Sequence, residues 1–132
     1  MRKMLFAAIA ALVIAGCDSG VTGVKSINGS WSLRTVNGAA LPFTTSGSGT
    51  NKTEITSDVI TLFEGFTYQE VIQKRVTTNG TATTASVTET GSFSTFGTSV
   101  TLQSNLPRER RGLIEGNSMT IVENGMVQVY KQ

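Results

Sequence analysis

The run Arg110-Arg111-Gly112-Leu113-Ile114-Glu115-Gly116-Asn117-Ser118-Met119-Thr120-Ile121-Val122-Glu123-Asn124-Gly125-Met126-Val127-Gln128-Val129-Tyr130-Lys131 reads as three strands and two turns. Met119 and Ile121 share one face of their segment, the period of two expected of a half-buried strand. Gly116-Asn117 and Asn124-Gly125 punctuate the run. Tight turns demand antiparallel neighbours, so Arg110–Glu115, Ser118–Glu123 and Met126–Lys131 form a meander.

Working back toward the N-terminus, the same punctuation recurs. Thr98–Ser104 is a strand with Val100 and Leu102 on one face, and Asn105–Glu109 is a loop. Ser86–Thr95, Phe66–Thr77 and Glu54–Phe63 read as strands, separated by the loop Asn79–Ala85 and the turn Glu64-Gly65. Thr44–Thr53 is small, polar and glycine-containing and reads as a flexible loop. Ala40–Phe43 is a short extended piece, with Pro42 barring a central-strand role. Ile27–Val36 supplies the first strand, with Trp31, Leu33 and Thr35 on one face, and Asn37-Gly38 turns after it.

Eight strands in a meander are enough to close by pairing Ser30–Val36 with Val127–Lys131. Closure removes the exposed edges of an open sheet. The prediction is an all-β chain, an eight-stranded antiparallel up-and-down barrel, with a two-sheet sandwich as the alternative. Abundant serine, threonine and glycine, with two prolines, suit that reading.

Ahead of the strands lies a different kind of segment. Arg2 and Lys3 precede an unbroken apolar run from Leu5 to Ala15, followed by Gly16 and Cys17. The run is shorter than the ~20 residues a spanning helix needs. Ile14-Ala15-Gly16-Cys17 resembles the lipobox of bacterial lipoproteins. That resemblance implies removal of residues 1–16, acylation of Cys17 and a lipidated tether over 17–26. It places the chain in the bacterial cell envelope, on a membrane facing the periplasm or exterior. Asp18 resembles an inner-membrane retention signal; inner versus outer membrane stays open. The alternative is an ordinary secretory signal and an incidental cysteine. That would leave the only cysteine of the chain as an unpaired thiol.

Arg2 and Lys3 account for the formal net charge of +2, so the segment from Cys17 onward is neutral. No basic stripe suggests nucleic acid. The cluster Arg108, Arg110 and Arg111 reads as a solvated loop, with an anion or phospholipid headgroup site as the alternative.

Over 27–132 the chain resembles the bacterial lipocalin-like lipoproteins. The carrying residues are Gly29-Ser30-Trp31, Leu33, Val36-Asn37-Gly38-Ala39-Ala40-Leu41-Pro42, Glu89-Thr90-Gly91-Ser92-Phe93 and Val100-Thr101-Leu102. The Gly29-x-Trp31 opening is similar to the first lipocalin strand, whose tryptophan plugs the closed end beneath a basic residue. Lys131 is the candidate for that residue.

Chemistry is constrained by what is missing. With no histidine, the common general base and His-based metal sites are excluded. An acylated Cys17 is no nucleophile. Asp58, Glu64, Glu89, Glu115 and Glu123 lie mostly at strand ends or turns, where solvation explains them. Glu70 falls in register with Tyr68 and Ile72, which makes it either a buried functional carboxylate or a residue flipped outward by a β-bulge. The expectation is a non-enzymatic module without cofactor or metal, binding a small apolar or amphipathic ligand. Its pocket would be lined by Tyr68, Ile72, Val100, Leu102 and Met119. The alternative is a structural or protein-interaction lipoprotein with a filled barrel. Interior volume separates the two.

Overall fold

Three Asn-Gly pairs turn the chain with both residues at positive φ: Asn37 (51°) and Gly38 (80°), Asn79 (50°) and Gly80 (79°), Asn124 (51°) and Gly125 (76°). This is the type I′ geometry, whose twist matches that of the strands it joins. In the computed structural model, which describes residues 26–132, these turns organise ten strands and no helix. They are β1 (Gly29–Val36), β2 (Ala39–Ala40), β3 (Phe43–Ser48), β4 (Asn51–Leu62), β5 (Thr67–Thr78), β6 (Thr81–Phe96), β7 (Ser99–Ser104), β8 (Glu109–Glu115), β9 (Ser118–Glu123) and β10 (Met126–Lys131). The residues read as signal peptide, lipobox and Cys17 lie outside the described residues.

Every pairing is antiparallel. β4 to β10 follow one another around the sheet, and β10 pairs with β1 through Ser32–Lys131 and Val36–Gln128. β1 then meets β4, Gly29 opposite Leu62 and Ser32 opposite Val59, which closes an eight-stranded barrel. β2 and β3 are additional strands outside that ring.

Two segments read as loops are strands. Thr44–Thr53 is mostly the β3–β4 hairpin, and Asn79–Ala85 is a two-residue turn followed at once by β6. The reason is a change of partner. Below the bulge at Thr56, β4 pairs with β1; above it, β4 pairs with β3. The upper parts of β3, β4, β5 and β6 thus continue past the barrel as a tongue. Thr81–Thr88 of β6 are exposed on both faces. β7 covers only Gly91–Phe96, so the outer edge of β6 from Thr81 to Thr88 has no strand partner.

The two barrel ends differ. One carries the turns after β4, β6 and β8 together with Ser26 and Gln132. The other carries the turns after β1 and β9, the β7–β8 loop and the tongue. Trp31, Leu62, Tyr68, Phe93, Val100 and Met119 fill the first end and are buried. Trp31 donates from Nε1 to Ile27 O at 2.9 Å. Lys131 does not cover the tryptophan ring. It pairs with Ser32, so strand alternation points it away from the face that holds Trp31 and Tyr130. Gly29 adopts φ +124°, and a Cβ there would sit 2.9 Å from the Gln132 side chain. Gly91 matters differently: a Cβ would lie 2.1 Å from Gln103 O and 2.7 Å from the Tyr68 ring. Its bare backbone is what lets Tyr68 lie across the barrel wall.

Candidate functional site

Above the apolar floor the inner face turns ionic. Strand parity puts Asp58 with Ile60, Glu70 with Tyr68, Glu89 with Phe93, Arg110 with Gly112 and Glu123 with Ile121. The pairing Ile60–Glu70–Glu89 across three adjacent strands places both glutamates inside. No bulge occurs at Glu70, which is fully buried; the β4–β5 irregularity falls between Ile55 and Ser57.

Arg108 and Arg110, read as solvated, turn inward; Arg111 alone stays exposed and pairs with Glu109. Arg110 binds Glu70 in bidentate fashion, Nη1 to Oε1 at 2.8 Å and Nη2 to Oε2. Arg108 grips Glu123 with Nε and Nη2, each at 2.6 Å, and reaches Glu89 with Nη1 at 2.9 Å. Tyr68 donates its hydroxyl to Glu89 at 2.8 Å. Burying a carboxylate is tolerable only with such partners.

The electrostatics follow. Burial pushes Glu89 up, but the bonds from Tyr68 and Arg108 outweigh it and hold it below the usual carboxylate range. The Arg108 bond holds Glu123 low, and the same contact raises Arg108. Asp58 is the exception. Tyr130 donates to its Oδ2 at 2.8 Å, while its Oδ1 is buried with no partner. No arginine bonds to it. Burial and the neighbouring Glu70 charge push it up to about 7.

Asp58, Glu70, Glu89, Arg108 and Glu123 form the floor of an open recess of about 430 Å³ at the tongue end of the barrel. Ile55, Ile72, Val87 and Met126 supply apolar walls, and Lys74 stands among the lining residues. Of the five residues expected to line a pocket, only Ile72 lines this recess. Tyr68, Val100, Leu102 and Met119 are packed into the core. Their sizes explain this: next to Trp31 they fill the closed end outright. Tyr68 enters the site only through its hydroxyl. Among the described residues no group of three or more carboxylates is arranged to hold a metal ion.

The missed residues carried a signal. Asp58, Glu89, Arg110 and Glu123 all share parity with core residues of their own strands. Compared with known proteins, the chain matches no family model, no curated protein and no solved structure.

Proposed function

We propose that this chain is a lipid-anchored binding module of the bacterial envelope, held through acylated Cys17, whose barrel takes up a small amphipathic ligand without transforming it. The observation that carries the reading is the recess of about 430 Å³ with apolar walls and an ionic floor. Such an arrangement suits a ligand with a hydrocarbon body and a polar head, since small-molecule sites pair apolar lining with few placed polar groups. The head should donate hydrogen bonds or carry positive charge. Arg108 and Arg110 are engaged with Glu70, Glu89 and Glu123, and the recess is lined by four carboxylates, Asp58, Glu70, Glu89 and Glu123, against Arg108 and Lys74.

Calorimetric titration with octylammonium, octanol and octanoate tests this. Octylammonium should bind most tightly and octanoate least, and Ile72→Trp, which fills the recess, should weaken all three. Absence of heat with every probe would overturn the ligand-binding reading.

A second reading, a protein-interaction lipoprotein, rests on the tongue. The Thr81–Thr88 edge is unpaired and uncharged, features that invite strand addition by another chain. In-membrane crosslinking from Thr84→Cys that captured no protein would remove that support.

A further inference from the structure

Among the described residues three phenylalanines are exposed, and all belong to one end of the barrel. Phe63 and Phe66 bracket the β4–β5 turn and are 44% and 63% exposed; Phe96 begins the β6–β7 turn and is 90% exposed. Phe66 holds φ 62°, a conformation that glycine or asparagine adopts readily and a bulky aromatic does not. Its ring is supported at 5.7 Å by Phe93. Phe93 belongs to the core and Phe66 does not: most of the Phe66 ring is left facing solvent.

The same end holds the start of the described chain. Gln132 Nε2 donates to Ser26 O and Asn28 O, and Ser26 and Ile27 line a depression shared with the Phe96 turn through Gly97 and Thr98. From Ser26 the chain continues back to Cys17 through nine peptide units, a reach of at most about 30 Å. β4 has 12 residues, about 40 Å along the strand. With strands tilted ~40° from the barrel axis, that is a height of about 30 Å, so a barrel standing on its tongue would draw the tether to its full extension. A barrel standing on its phenylalanine end would leave it slack.

We infer that the turn end carrying Phe63, Phe66 and Phe96 rests on the bilayer that holds the acyl chains of Cys17, with the three rings dipping into its interface and the recess opening away from it. The inference rests on the lipid-anchor reading. The occupant is a lipid surface, since the tether delivers this end to lipid. The contact is apolar rather than electrostatic, because Glu64 and Glu115 stand at that end against Lys131. Rings at the headgroup–acyl boundary lie ~5–10 Å deep, within reach of brominated acyl chains.

The test uses the full lipidated chain in phosphatidylcholine vesicles with brominated acyl chains. Phe66→Trp and Phe96→Trp report this end, and Thr83→Trp reports the tongue. Trp31 is fully buried and gives the same background in each. Phe66→Trp and Phe96→Trp emission should fall about twofold relative to unbrominated vesicles, with Thr83→Trp unchanged. If the wild-type chain does not float with vesicles, the anchor reading fails and this inference with it. If it floats, but the phenylalanine-end tryptophans are quenched no more than the one at Thr83, the orientation is refuted and the anchor stands.

Discussion

Asp58→Asn should make the protein more stable at pH 8 and leave it nearly unchanged only near pH 4. The carboxyl is raised from 3.8 to about 7, first by burial and then by the Glu70 charge, with Tyr130 and Arg110 partly offsetting both. A group that holds its proton more tightly in the folded state favours folding at low pH. That advantage is lost as pH rises from about 4 to 7 and levels off above. A shift of about 3 pH units corresponds to about 4 kcal/mol. Asparagine keeps an acceptor for Tyr130 and never ionises. Urea unfolding between pH 4.5 and 8 is the assay. The wild type should lose stability across this range, and the variant should be flat. Glu54, Glu89 and Glu123 act in the opposite sense but elsewhere. Their pKa values are lowered, so their contribution is present above the unfolded value of 4.5 and lost only as pH falls below it. Equal slopes in wild type and variant between pH 5 and 7.5 would refute the assignment.

Other perturbations test the frame around the site. Arg110→Met should cost about 3–5 kcal/mol by stranding Glu70, and Arg110→Met with Glu70→Leu should recover much of it; chemical denaturation of both single variants and the double variant measures the coupling. Gly91→Ala should destabilise by about 1–3 kcal/mol, since its methyl collides with Gln103 O and Tyr68; the thermal midpoint reports it. Gly80→Val should disrupt the type I′ turn at the tip of the tongue while sparing the barrel, so hydrogen exchange should rise in Thr77–Thr84 and stay low at Trp31 and Ile60.

The apolar half of the interior was readable in the chain. Trp31 with Leu33, Val100 with Leu102 and Met119 with Ile121 alternate as a half-buried strand must, and all six are buried. Of the ionic half only Glu70 stands out in the sequence, as a carboxylate either buried or flipped outward, although the rest obeys the same alternation. A charged residue in period-two register looks like a strand end or a bulge until its counter-charge is known. Here the partners are remote: Arg110 lies 40 residues from Glu70, and the Tyr130 hydroxyl lies 72 from Asp58. Asn79-Gly80 carried the same turn signature as Asn37-Gly38, but the threonine-rich sequence after it suggested a loop. Its strand character depends on pairing with β5.

By itself the sequence determined the strands of the barrel and the hands of its turns, because alternation and Asn-Gly chemistry act over a few residues. Tertiary structure alone decided which polar residues face inward, where β4 exchanges β1 for β3 and extends the tongue, and that an open recess lies at the tongue end. Each of these depends on groups that meet only once the barrel closes. A buried carboxylate is affordable only beside the arginine or tyrosine that closure brings to it.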